Sequence, residues 1–222
     1  MLDIFDILGP VMVGPSSSHT AGAVRIGRMA RTLLGGAPVK ADIGLYGSFA
    51  ETGRGHGTDR ALVAGLLGMH PDDLRIPQSF ELAGEQGLDF CIHPIQLREA
   101  HPNTVVLKLK RADGSELTLQ AASIGGGRIR VDKLNGVEVQ FTGDLNTLVV
   151  QHQDVAGKVA EETRELSNAG INIATMSLWR DRRGGDALIV IETDQKVPEA
   201  VRRKILELPG VKRLTYYEKE DD

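Results

Sequence analysis

The clearest pattern of apolar and polar positions lies in the last third of the chain, where strand-like alternation and helical periodicity take turns from Asn146 onward. TLVVQHQ (147–153) is the first strand expected. Asp154 follows where an N-cap belongs, and a helix with Val155, Val159, Leu166 and Ala169 on one side is predicted to end at Gly170. INIATMSLWRD and DALIVIETD read as strands around an Arg182-Arg183-Gly184-Gly185 hairpin. Pro198 opens a second helix carrying Val201, Ile205 and Leu208, Gly210 closes it, and VKRLTYY supplies the last strand. The order is βαββαβ, a ferredoxin-like plan.

Residues 1–143 are less regular. Leu2 to Leu8 is a short apolar helix candidate, and Ala21 to Leu34 is a longer one that points Val24, Met29 and Leu33 at a core and stops at Gly35-Gly36. VKADIGLYG (39–47) alternates as a strand, and TDRALVAGLLGM (58–69) predicts a third helix with Thr58 as its N-cap. Beyond Leu88 strands dominate. Asp113-Gly114 and Asn135-Gly136 are two hairpin turns, and Thr142-Gly143-Asp144 is the expected linker. The fold class predicted is α+β: an N-terminal mixed α/β domain of the catalytic type over 1–143, followed by a ferredoxin-like domain over 147–222.

Length and composition narrow this picture further. With 222 residues, 41% hydrophobic and 25% charged, the chain suits one large or two modest globular domains. No run reaches the ~20 apolar residues of a membrane span, and MLDIFDILGPVMVG has no basic region ahead of its apolar stretch. The expectation is a cytoplasmic protein without a membrane partner. Its 26 basic residues are scattered among 30 acidic ones, which disfavours nucleic acid as a partner. Cys91 is the single cysteine, so the chain cannot supply the several thiolates of a zinc or iron-sulfur site; no metal ligand is assigned. Inside LDFCIHPI it is expected to be a small buried hydrophobe.

The candidate chemistry sits in glycine-rich segments. Gly14-Pro15-Ser16-Ser17-Ser18-His19-Thr20 leads into one helix and Gly53-Arg54-Gly55-His56-Gly57-Thr58 into another, each with a histidine one or two residues ahead of a threonine expected to cap. A helix start offers unpaired N–H donors and about half a positive charge, so it attracts a carboxylate and keeps a neighbouring imidazole neutral. Anion binding and general-base chemistry are thus available together. Ordinary capping would produce either segment alone; two with matched histidines tip the balance toward a site. Ser123-Ile124-Gly125-Gly126-Gly127 is either a donor nest or a flexible hairpin corner. His70, His93, His101 and His152 receive no role, and Glu51 and Asp59 could be orienting, solvated or capping carboxylates.

GPSSSHTAG, together with GRGHGTD, SIGGG and the C-terminal βαββαβ unit, resembles the beta-chain family of bacterial iron-sulfur L-serine dehydratases over essentially the whole chain. The C-terminal unit resembles an ACT domain, a module that binds amino acids or dimerises. The resemblance implies that L-serine loses water to aminoacrylate, which yields pyruvate and ammonia. It further implies a 4Fe-4S cluster ligated by a separate alpha chain, with a free iron acting on the departing hydroxyl. His19 and His56 are the implied catalytic residues, with His56 preferred as base because glycines flank it. Ser16, Ser17, Ser18, Thr20, Gly57, Thr58, Gly125 and Gly126 would bind the substrate, the carboxylate resting on the Ser16 to Thr20 helix start. The ACT turn departs from its usual acidic-Pro-Gly form, since Asp154-Val155-Ala156-Gly157 keeps the glycine and lacks the proline. Effector binding at Asp154 and Gly157 is therefore weighed against simple self-association. A non-catalytic amino-acid-binding regulator is the alternative reading.

Overall fold

The computed structural model describes residues 12–219, and the helix expected over 2–8 lies outside them. The chain divides between Thr142 and Gly143 into two compact units. No helix of the described residues is long and apolar enough to cross a membrane.

In the N-terminal unit a π-type turn at Ser17–Ala21 runs into α1 (Gly22–Leu34), followed by β1 (Lys40–Leu45). Two four-residue helical turns come next, α2 (Ser48–Glu51) and α3 (Gly53–His56), and then α4 (Thr58–Leu66). A 3-10 turn at Ile76–Gln78 leads into α5 (Ser79–Glu85). The strands β2 (Asp89–Pro94), β3 (Thr104–Lys110), β4 (Glu116–Gly125), β5 (Arg128–Leu134) and β6 (Val137–Phe141) complete the unit. They form a six-stranded sheet in the order β2-β1-β3-β4-β5-β6, parallel between β1 and β2 and antiparallel elsewhere.

Alternation decides which sheet face is covered. Ile43, Leu107, Leu119 and Val131 are buried, whereas Lys108 and Lys110 on the intervening positions are exposed. Ile26, Met29 and Leu33 of α1 and Leu62 and Leu66 of α4 are also fully or almost fully buried; each such side chain contributes about 1.5–3 kcal/mol. Asn135 (φ 49) and Gly136 (φ 82) make the tight turn between β5 and β6 as their left-handed preference demands.

The C-terminal unit contains β7 (Asn146–Gln153), α6 (Lys158–Asn168), β8 (Ile173–Arg180), β9 (Asp186–Thr193), α7 (Glu199–Leu206) and β10 (Val211–Tyr217). Its antiparallel sheet has the order β10-β7-β9-β8. This is the ferredoxin-like arrangement, and with the first unit the fold is α+β. Leu148, Val150, Leu166, Ile189, Ile191 and Ile205 centre its core. His152 and Glu162 are buried within it as a hydrogen-bonded pair.

Several expectations are corrected here. Thr58 does not cap α4: Gly57 does, at φ 71, and Thr58 is the first helical residue and fully buried. Helix α4 stops at Leu66 rather than Met69, with the chain turning at left-handed Gly68. The Gly53-Arg54-Gly55-His56 stretch does not merely lead into a helix but forms a helical turn of its own, ended by left-handed Gly57. Asp154 does not cap α6; left-handed Gly157 occupies that position, and Val155 and Ala169 are exposed rather than packed. Cys91 is exposed, since it sits on edge strand β2 on the polar face of the sheet.

Candidate functional site

The two histidine segments are brought together by a helix crossing. A Cβ on Gly27 of α1 would fall 2.5 Å from the Leu62 carbonyl oxygen, and one on Gly65 of α4 would fall 2.2 Å from that of Val24. Only glycines allow such backbone approach. The helix starts are thereby held side by side, and the His19 and His56 ring centroids lie 5.0 Å apart with planes at 39°.

Ser16 caps the first turn, its extended backbone (φ -144) turning Oγ to accept the His19 N–H at 3.2 Å. The first intrahelical bond runs from Thr20 N–H to Ser16 O at 2.9 Å. Ser17 and Ser18, half-buried, therefore carry backbone N–H groups that precede the intrahelical ladder. Thr20 does not cap; it is buried, and its hydroxyl donates to the His56 carbonyl oxygen at 3.4 Å, linking the two histidine segments.

His19 stands edge-on to buried Phe49, with centroids 5.3 Å apart and planes at 64°. Its Nε2 lies 3.1 Å from Thr52 Oγ1 and 3.3 Å from Ser48 Oγ, and its Nδ1 is 3.5 Å from Ser16 Oγ. Burial holds the His19 pKa below 6.5, His56 adds in the same sense, and a Ser48 backbone hydrogen bond opposes them. Burial thus favours the neutral ring. His56 ends α3, exposed, with Nδ1 3.0 Å from the Thr52 carbonyl oxygen. Gly55 and Gly57 beside it leave open space where side chains would stand.

Sequence reasoning missed Ser48, Phe49 and Thr52. Two of them were within its reach: Ser48, Thr52 and His56 recur at intervals of four, which places them along one helical face. The carboxylates weighed instead stay out of the contacts described for the two rings. Asp59 accepts from the Arg60 N–H at 2.8 Å, and Glu51 is exposed.

The third glycine segment reaches the same helix start. Gly125 (φ 102), Gly126 (φ 61) and Gly127 (φ 75) turn β4 into β5, and Arg25 of α1 donates to the Gly127 carbonyl oxygen at 3.3 Å. At its root Ser123 presses on α1 so closely that a Cβ on Gly22 would fall 2.1 Å from Ser123 Oγ. Ser123 Oγ and Thr58 Oγ1 are buried hydroxyls with no hydrogen-bond partner among the described residues.

Cys91 lies elsewhere, opposite Asp42 in the β1–β2 register and on the same polar face as His93. The ligand-type atoms of Asp42, Cys91 and His93 lie within 4.8 Å of one another. Asp42 Oδ1 takes the His93 ring at 2.5 Å, and the Lys108 ammonium is 3.7 Å from Oδ2. That hydrogen bond raises the His93 pKa. The His93 ring and the Lys108 ammonium already share the carboxylate, so the cluster is a hydrogen-bonded, charge-paired network. One thiol on this polar face does not fit a 4Fe-4S cluster, which takes several cysteines.

In the C-terminal unit the Asp154 carboxylate accepts from Arg180 Nη1 at 2.9 Å and from Gly184 N–H at 3.2 Å. The Arg180 guanidinium and this backbone bond hold its pKa below the usual carboxylate range. Gly157 is exposed, with open space around its α-carbon.

A family model described as Serine dehydratase beta chain matches residues 1–86, and one described as ACT domain matches residues 146–210. The probable L-serine dehydratase beta chain of Bacillus subtilis is 41% identical over 212 residues, covering 96% of this chain and 96% of that protein. The L-serine dehydratase beta chain of Peptoniphilus asaccharolyticus is 36% identical, covering 95% of this chain and 94% of that protein. The L-serine dehydratase of Streptomyces coelicolor is 28% identical over 81% of this chain but only 45% of its own length. With its paired histidine segments at two helix starts and relatives that match it nearly end to end, the chain belongs to the serine dehydratase beta chain family and carries an ACT domain.

Proposed function

We propose that this chain is the beta subunit of an L-serine ammonia-lyase, converting L-serine to pyruvate and ammonia together with an alpha subunit. The carrying observation is the His19–His56 pair, 5.0 Å between centroids, at two adjoining helix starts. The first turn of α1 offers the Ser17 and Ser18 N–H groups to the serine carboxylate. Ser16, Ser17, Ser18, Thr20, Gly57, Thr58 and the turn at Gly125 and Gly126 complete the substrate site in this reading. His56 is the base that removes the α-proton, and His19, neutral and more enclosed, positions the substrate.

The 4Fe-4S cluster implied by the family does not fit this chain's single exposed cysteine. It belongs to an alpha chain, a division supported by the Streptomyces coelicolor enzyme, in which the part resembling this chain takes up 45% of the length. Residues 1–143 are the serine dehydratase beta domain and 147–222 the ACT domain. The ACT domain self-associates: edge strand β8 leaves Met176 (44% exposed) and Leu178 (45%) uncovered. L-Serine as an effector would meet it at the Asp154–Gly157 turn. A cytoplasmic location suits a lone free thiol.

The test is pyruvate formation from L-serine under anaerobic conditions. The chain alone should be colourless, iron-free and inactive, and the alpha chain should confer turnover. His56→Ala should lower kcat by about 10²–10⁴-fold with little change in KM, and His19→Ala should weaken both. Near-wild-type turnover of His56→Ala overturns the base assignment; no turnover with any cluster-bearing chain leaves an amino-acid-binding protein.

A further inference from the structure

Thr52 touches both rings, through different atoms. Its hydroxyl lies 3.1 Å from His19 Nε2, and its carbonyl oxygen lies 3.0 Å from His56 Nδ1. These contacts differ in what they permit. A carbonyl oxygen only accepts, so the proton of a neutral His56 ring must sit on Nδ1, and Nε2 keeps its lone pair. The Thr52 hydroxyl has a carbonyl of its own to satisfy, that of Ser48 one helical turn back, to which it donates at 2.9 Å. With its proton on that carbonyl it accepts from His19, which places the His19 proton on Nε2; Ser48 Oγ, 3.3 Å from both this nitrogen and Thr52 Oγ1, has room to accept there as well. The basic nitrogen of His19 is consequently Nδ1, which faces Ser16 Oγ at 3.5 Å.

We infer that Thr52 is a positioning residue that sets the two histidines in opposite tautomers, His56 protonated on Nδ1 and His19 on Nε2, so that the basic nitrogens are Nε2 of His56 and Nδ1 of His19, the latter facing Ser16 Oγ. This rests on the reading of His56 as the general base and deepens it: the preference for His56 follows from where the protons sit, and not only from its glycine neighbours. The neutral state of His19 agrees with burial and His56 both lowering its pKa. Positions 48, 52 and 56 follow a spacing of four, so the short turns α2 and α3, which have no amphipathic stripe, deliver a hydroxyl and a carbonyl from one residue to two rings.

Imidazole 15N NMR of the full chain, labelled at its histidine rings, reads the tautomers directly and needs neither alpha chain nor substrate. The wild type should report His19 as Nε2–H and His56 as Nδ1–H. Thr52→Val keeps the carbonyl and deletes the hydroxyl. It should convert His19 to a tautomer mixture, leave His56 as Nδ1–H, and lower kcat/KM in the reconstituted enzyme by about fivefold, the worth of one hydrogen bond. Thr52→Ser should restore both readouts. A wild-type His56 protonated on Nε2, or a His19 tautomer unchanged in Thr52→Val, overturns the inference. If the tautomers are as expected but His56→Ala retains turnover, the tautomer assignment stands and the catalytic reading of His56 falls.

Discussion

The two units differ in where they leave unmet requirements. In the N-terminal unit Thr58 Oγ1, Thr104 Oγ1 and Ser123 Oγ are buried without partners among the described residues, His56 is exposed between glycines, and Leu74 is exposed. The C-terminal unit pairs its buried polar side chains internally. His152 meets Glu162, and Lys158 reaches both Glu161 Oε2 at 2.6 Å and the Pro209 carbonyl oxygen. Two atoms, Glu162 Oε2 and Arg202 Nε, are left over among the described residues. What this unit leaves uncovered is apolar, Met176 and Leu178 on β8. They pair with Ile191 and Ile189 in the β8–β9 register, so they extend the core-facing side of the sheet to its edge. The paired histidines of the first unit and the uncovered apolar edge of the second are why we assign chemistry to the one and association to the other.

The comparison breaks most easily at the helix crossing. Gly65→Leu drives a side chain into the Val24 carbonyl oxygen, whose distance from a Cβ would be only 2.2 Å. Urea unfolding should register about 3 kcal/mol of destabilisation, with increased amide exchange over residues 16–66 and little change over 146–217. Equal loss of protection in both stretches would mean that the crossing does not belong to the first unit alone.

A smaller effect is expected at β8. Leu178→Asp removes an apolar contact worth about 2 kcal/mol and should weaken self-association about 30-fold by sedimentation, while circular dichroism stays unchanged. An unaltered association constant would move the interface away from β8.

The smallest effect is a pH dependence confined to the first unit. The folded His19 pKa lies below 6.5, so the unfolded chain binds this proton more readily. The stability associated with neutral His19 is whole above 6.5 and declines as pH falls from there toward the lowered folded value. His19→Gln should flatten that part of the stability profile; an identical slope in the variant would assign the pH dependence to another group.

The ferredoxin-like unit was legible because its apolar runs mark its elements: Leu148, Val149 and Val150 form a buried run on β7, and Val201 and Ile205 recur at helical spacing on α7. The exception was its first helix start. Asp154 looks like a cap by residue type, but an Arg180 guanidinium from the neighbouring hairpin claims its carboxylate, and a distant donor cannot be read from local spacing. Cys91 failed for a similar reason. Alternation shows that two faces exist, but edge position and the polar partners Asp42 and His93 decided which one it joined.

The sequence by itself determined that two glycine-rich segments end in histidines ahead of helices, and that only one cysteine is present to meet any cluster. Those are local or countable properties. Tertiary structure decided that His19 and His56 meet, because the Gly27–Gly65 crossing brings residues distant along the chain within a few ångströms. It also decided their proton placement, since Thr52 reaches one ring by its hydroxyl and the other by its carbonyl. A hydrogen bond fixes a tautomer only through the direction of its donor, and that direction exists only once the backbone is folded.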